Sequence, residues 1–345
     1  MMPMELTSAE RWERLYMQSP LDTMPVVLFD NLVSAKLIDR TYLESEADAT
    51  LLLEKLLKSY QTFKADSVSL NYSMSEINQV LGGESKVTHP NTSRSIVAYP
   101  AQALEDVAAL PELALETLPV TLRLRQAIEH FLNETHGEVP VRLHFRGPFS
   151  MVAGLIESEK ILRGMRRDPE GLHAALAYTT QLATQLVECF SDLAPIIYNI
   201  SDPVASGSLI SHKQYEAFAF PYTQQLVETL HQQNQRVHLH ICGNTERALP
   251  LIQQTGVDAF SMDQVVDVAK AFEMTDHQLL LMGNVDPVKF FLEGTPEEIK
   301  QEVERIAQAA KDAKGTLILA PGCDLPYDTP IEQIQAFMEA ALACS

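Results

Sequence analysis

Eight short β-rich runs, each followed by a helical pattern, restrict what this chain can fold into more than any other feature. They fall at 25–30, 67–72, 140–147, 195–201, 236–242, 259–263, 279–285 and 316–322, and most end in polar residues, glycine or proline. Between them apolar residues recur every three or four positions, the period of an amphipathic helix. Strand and helix in alternation predict parallel strands joined by helical crossovers. Eight such units favour an α/β fold of the (β/α)8 TIM-barrel type, with an open doubly wound sheet as the other arrangement the count allows. A length of 345 residues suits one such barrel as a single domain, 1–345.

Two segments exceed the repeating unit. Residues 1–24 read as an N-terminal helical cap, with a helix over 7–18 placed to cover the barrel floor. Residues 73–138 are too long for a simple crossover and read as a helical and hairpin insertion between strands two and three. Thr295-Pro296-Glu297-Glu298 is a capping box with proline in the first turn and starts a helix over 297–314. A further helix over 172–193 carries Cys189 in its apolar stripe.

With 46% apolar and 21% charged residues the chain has the balance of a soluble globular enzyme. The N-terminal MMPMELTSAERWERLY lacks an apolar h-region, and no apolar run reaches the roughly 18 to 20 residues of a membrane span, so a cytoplasmic location is expected. A net charge of −20 without a Lys/Arg cluster excludes nucleic acid and anionic membrane as partners. The four cysteines, at 189, 242, 323 and 344, are too few and too scattered for a disulfide framework.

Two of them stand where barrel enzymes keep their chemistry. In Arg236-Val-His-Leu-His240-Ile-Cys242, alternation sends 238, 240 and 242 to one face of the strand. In a barrel this delivers an imidazole and a thiol to the C-terminal mouth. The eighth strand ends in Ala320-Pro-Gly-Cys323, where Gly322 permits a sharp turn that exposes the thiol. The two cysteines are 81 residues apart (323 − 242), so tertiary structure and not a local loop assembles the site. One histidine and two thiolates with a fourth position open form a catalytic rather than a structural zinc set, and soft sulfur donors favour zinc over magnesium or calcium. His240, Cys242 and Cys323 are therefore the expected metal ligands, acting in catalysis through zinc. Asp263 is either a fourth ligand or a helix cap.

Other residues at strand tips are candidates for substrate contact: Asp202 and Ser206 after strand four, Asn284 after strand seven, and Glu76 after strand two. Each has an ordinary structural alternative in a loop or a first helical turn. Ser211 and Asp286 read as helix caps, and His238 as a packed core imidazole. Cys189 and Cys344 need no function.

The His-x-Cys pair with its distant cysteine, together with Glu76-Ile-Asn-Gln-Val-Leu-Gly82, Ser201-Asp-Pro-Val-Ala-Ser-Gly, Gly283-Asn-Val-Asp-Pro287 and Ala320-Pro-Gly-Cys323-Asp-Leu-Pro, resembles the uroporphyrinogen decarboxylase superfamily, in its methylcobamide:thiol methyltransferase branch. The likeness covers almost the whole chain. It implies transfer of a methyl group between a corrinoid on a partner protein and a zinc-activated, coenzyme M-like thiol. The decarboxylases of the superfamily resemble the same barrel but carry an arginine loop after the first strand and a histidine in the turn after the last. Here those places hold Phe29-Asp-Asn-Leu-Val-Ser-Ala-Lys and Cys323, which points away from decarboxylation.

The leading expectation is a zinc-dependent corrinoid methyltransferase. Loading of Co(I) from a methylated small molecule, uroporphyrinogen decarboxylation, and non-catalytic binding of a corrinoid or thiol are the alternatives. The chain has no Asp-x-His-x-x-Gly corrinoid signature, so the methylcobamide is expected on a separate corrinoid-binding protein.

Overall fold

The computed structural model describes residues 5–344, so residues 1–4 of the predicted cap lie outside the described residues. Among the described residues nine strands form: β1 Val68–Asn71, β2 Glu84–Lys86, β3 Ser95–Ala98, β4 Val141–Arg146, β5 Ile196–Ser201, β6 Arg236–Ile241, β7 Ala259–Met262, β8 Leu281–Val285 and β9 Leu317–Pro321. Seven of them pair in parallel in the order β1-β4-β5-β6-β7-β8-β9, each within one of the predicted runs, while β2 and β3 make an antiparallel hairpin inside the insertion. Successive parallel neighbours joined by helices curl into a TIM barrel.

The first predicted strand differs from the rest. Residues 25–30 make a single bridge, Val26 to Leu319, in place of a ladder. Several of their backbone groups still find partners on both sides. Val27 N donates to Leu319 O at 3.1 Å on the β9 side. On the β1 side, Asp66 N donates to Val26 O at 2.9 Å, Val26 N to Asp66 Oδ2 at 2.8 Å, and Ser69 Oγ to Leu28 O at 3.1 Å. Side-chain acceptors and donors take over from ladder bonds, and the segment closes the barrel between its first and last strands.

Alternation divides this segment cleanly. Val26 and Leu28 face the helices with the main core, while Val27 and Phe29 face the barrel interior with Ile197, Ala259, Met282, Ile318 and Ala320. Trp12 closes that interior from below. It sits on the helix Ser8–Tyr16, which starts with a Thr7–Glu10 capping box. The indole is 1% exposed, donates Nε1 to Asp66 O at 2.8 Å and lies 5.3 Å from the His238 ring. The predicted floor helix thus covers the floor through one large side chain.

The insertion holds the helix Met74–Val80, the β2–β3 hairpin, the helix Leu104–Ala108 and the crossover helix Pro119–Glu134. The hairpin tip folds over the mouth, where Leu43 N donates to Pro90 O at 3.0 Å and Tyr42 N to Asn91 Oδ1 at 3.3 Å. The capping box at Thr295 starts the helix Pro296–Asp312. The helix expected over 172–193 runs Pro169–Glu188 instead, because Asp168 and Pro169 start it earlier and Cys189 already forms its C-terminal cap. Among the described residues no helix is long and apolar enough to cross a membrane.

Removal of the floor plug tests this packing. Trp12→Ala is expected to cost about 3–5 kcal/mol of unfolding free energy, the range for truncating a fully buried large aromatic, measured by urea denaturation. A loss below about 1 kcal/mol would mean the helix does not seal the barrel.

Candidate metal centre

The parity of β6 places its polar side chains on the barrel axis at different depths. His238 is fully buried, accepts from or donates to Tyr16 Oη through Nε2 at 2.8 Å, and is driven down to a pKa of about 3, by burial first and by nearby Arg142 second. It is a neutral core imidazole. One layer higher, His240 is 6% exposed, and its Nδ1 lies 3.2 Å from both the carbonyl and the hydroxyl oxygens of Ser261 on β7. A carbonyl only accepts, so Nδ1 carries the proton and the lone pair of Nε2 faces the mouth.

Cys242 follows the end of β6 and Cys323 the end of β9. His240 Nε2 lies 3.2 Å from Cys242 Sγ, which is 3.8 Å from Cys323 Sγ. All three ligand atoms fall within 4.8 Å of one another, and among the described residues this is the one such group of three His, Cys, Asp or Glu side chains. Two sulfurs held at about 2.3 Å by a tetrahedral zinc stand roughly 3.8 Å apart. The sulfur–sulfur spacing matches such a site, and the orientation of His240 turns Nε2 toward the two thiols.

The electrostatics of the group are those of donors crowded together. Burial opposes the imidazolium of His240, but the neighbouring Cys323 and Asp324 outweigh it and raise its pKa. A hydrogen bond from Cys323 pulls Cys242 below the ordinary thiol value, and the same contact, with burial, pushes Cys323 up. A divalent cation held by these three residues would relieve this competition by taking the place of the shared protons.

Asp263 stands beside the group, with both oxygens engaged. Oδ2 accepts from Gly243 N at 2.7 Å and Oδ1 from Val265 N at 3.1 Å. It fixes the turn after Cys242, where Gly243 has φ +76° and a Cβ would lie 2.6 Å from Ser206 Oγ and 2.7 Å from Ser208 Oγ. Only glycine satisfies both the conformation and the space.

None of the four candidate substrate-contact residues lines the cavity at the barrel mouth, and each has partners within the protein. Asp202 is 1% exposed; its Oδ1 accepts from Ser150 N at 2.7 Å and Ser150 Oγ at 2.5 Å, which ties the tip of β5 to the helix Pro148–Leu155. Ser206 is buried and its hydroxyl accepts from Ser208 N at 3.2 Å. Asn284 donates to Asp263 O and Val266 O at 2.9 and 2.8 Å. Glu76 is half-buried and pairs with Arg123 at 2.8 Å. Ser211 and Asp286 cap their helices.

Sequence reasoning passed over the side chains that line the mouth. A cavity of about 440 Å³ opens there between the tips of β1, β4 and β5 and Asp324, the neighbour of Cys323. Its lining includes Arg94 and Arg146 against a single carboxylate, Asp324, with His144, Ser73, Ser75 and Tyr99. Period two along β4, Arg142-His144-Arg146, is the signal that points to two of these. Arg94 arrives on the hairpin and has no local signature.

Comparison with known proteins bears on this arrangement. A match to the uroporphyrinogen decarboxylase (URO-D) family spans residues 7–343. The chain belongs to that family. It is 28% identical to the methylcobamide:CoM methyltransferase MtbA of Methanosarcina acetivorans, over 98% of each chain. It is also 28% identical to uroporphyrinogen decarboxylase 2 of Arabidopsis thaliana, over 87% of this chain and 76% of that one. A solved methyltransferase from Methanosarcina mazei superposes with a TM-score of 0.85 at 23% identity, covering 98% of both chains, which shows the shared fold. Within the family the full-length likeness lies with the methyltransferases, and this chain is a methyltransferase.

Asp202 gives the site a pH signature. Burial holds its carboxyl up to about 6, outweighing the bonds from Ser150 that favour ionisation. A raised acid contributes stability in full below its unfolded value near 3.8 and loses it as pH rises through about 6. Asp202→Asn keeps an acceptor for Ser150 and removes the titration. Its unfolding free energy relative to the parent is expected to rise by about 2 kcal/mol between pH 4 and pH 7. A difference that stays constant over this range would show that Asp202 is ionised throughout.

Proposed function

We propose that this family member moves a methyl group between a corrinoid carried by a separate protein and a small thiol with an anionic tail, held on zinc by His240, Cys242 and Cys323. The observation that carries the reading is the spacing of one imidazole nitrogen and two thiol sulfurs, all within 4.8 Å at the barrel mouth. The relatives named for methylcobamide and CoM support both the donor and the acceptor. Zinc bound there would hold the acceptor as a thiolate at neutral pH, where a free thiol with a pKa of about 8.5 is mostly protonated.

The residues divide the remaining work. Ser261 fixes the ring of His240 so that Nε2 stays turned to the mouth. Asp263, through Gly243, holds Cys242 at the strand tip. Arg94 and Arg146 line the adjoining cavity and offer guanidinium forks to an oxyanion tail, which would point the sulfur back at the metal-binding group. The thiolate then attacks the methyl carbon as the cobalt–carbon bond breaks, both electrons of that bond passing to cobalt. A Co(III) methyl corrinoid becomes Co(I), and no general base is required once the thiol is ionised.

The test is spectroscopic. Methylcob(III)alamin and 2-mercaptoethanesulfonate, mixed with the zinc-loaded protein, are expected to give the cob(I)alamin absorbance, and Cys323→Ala to slow it by more than about 100-fold. Arg146→Ala is expected to raise the KM for anionic thiols roughly tenfold or more, in line with loss of a charge-assisted hydrogen bond, and to leave uncharged 2-mercaptoethanol unaffected. Zinc-loaded protein that never demethylates the corrinoid with any thiol would overturn the reading.

A further inference from the structure

The metal-binding group also has the geometry of a dithiol that oxidises. Cys242 Sγ and Cys323 Sγ are 3.8 Å apart, and a disulfide requires about 2.05 Å. Both side chains are partly accessible and stand just beyond their strands, since β6 ends at Ile241 and β9 at Pro321. Gly243 follows Cys242 and Gly322 precedes Cys323, so each thiol is carried on a turn beyond its strand rather than on the ladder itself. The remaining cysteines are placed differently. Cys189 is spent on the Gln185 carbonyl at 3.2 Å, and Cys344 lies at the end of the last helix.

From this geometry we infer that Cys242 and Cys323 form a peroxide-sensitive pair whose oxidation to a disulfide ejects the metal and reversibly switches the enzyme off. One thiolate attacks hydrogen peroxide, breaking the O–O bond, to give a sulfenic acid and hydroxide. The second thiolate attacks the sulfenic sulfur, forming the S–S bond and expelling the second oxygen. In sum, two thiols and one peroxide give one disulfide and two waters, with two electrons passing from the sulfurs to the peroxide. The proximity of the second thiol favours this closure over further oxidation to sulfinic acid. His240 alone is left as a ligand, too few to retain zinc. Disulfide formation rests on the sulfur geometry alone, whereas metal release rests also on the zinc reading above.

The experiment uses the full-length protein, assayed for zinc before and after treatment with hydrogen peroxide. Released zinc is followed with a chelating dye, free thiols are counted in denaturant, and peptides are mapped by mass spectrometry. Free thiols are expected to fall from four to two, with a Cys242–Cys323 linkage two hydrogens lighter than the reduced pair and release of about one zinc per chain. Dithiothreitol with added zinc is expected to reverse all three changes, and a Cys189→Ser/Cys344→Ser variant to behave as the parent. Sulfinic acid at either cysteine without cross-linking, or a disulfide involving Cys189 or Cys344, would overturn the inference while leaving the zinc reading intact. A Cys242–Cys323 disulfide in protein that never held zinc would support the redox pair and count against the zinc reading instead.

Discussion

Closure of the parallel sheet is the constraint on which the rest depends. Cys242 and Cys323 stand at the tips of β6 and β9, with β7 and β8 between them, so a flat sheet would hold them three strand spacings apart. Curvature brings their sulfurs to 3.8 Å. That curvature is locked where residues 25–30 bridge β9 and contact the β1 side through Asp66 and Ser69. The seal is short in hydrogen bonds but deep in packing, since Val27 and Phe29 interlock with the interior above Trp12. The His240, Cys242 and Cys323 group therefore depends for its geometry on a joint beside β9, the strand that leads to Cys323.

Below that group the interior is unusually polar. Arg142 is fully buried, donates to Asn199 Oδ1 at 2.8 Å and lies 4.7 Å from the centroid of the Phe29 ring. Burial lowers its pKa to about 10, so it stays charged at neutral pH. His144 above it is held neutral, by burial and then by Arg142. Groups facing the axis thus grade from an apolar floor through a buried cation to a mouth that carries His240, the two thiols and Asp324.

The repeating pattern of the chain made the barrel legible, because period two and period 3.6 report which face of an element is buried. It also put His240, Cys242 and Cys323 at strand tips on the inner face, which parity and a turn glycine are enough to specify. It did not show that residues 25–30 pair through Asp66 and Ser69, since side-chain substitutes for ladder bonds leave no periodic trace. Nor did it separate a carboxylate facing a ligand from one consumed by backbone N–H groups. Asp202 and Asp263 have the parity of site residues and the hydrogen bonds of structural ones. Arg94 was beyond reach for another reason: its place depends on a hairpin docking on Tyr42 and Leu43, far away in sequence.

The most direct measurement of the central claim is zinc K-edge X-ray absorption on the purified protein. The account predicts one nitrogen at about 2.0–2.1 Å and two sulfurs at about 2.3 Å, with a third sulfur at the same distance after addition of a thiol substrate. A metal-free protein after zinc reconstitution, or a shell of nitrogen and oxygen alone, would contradict it.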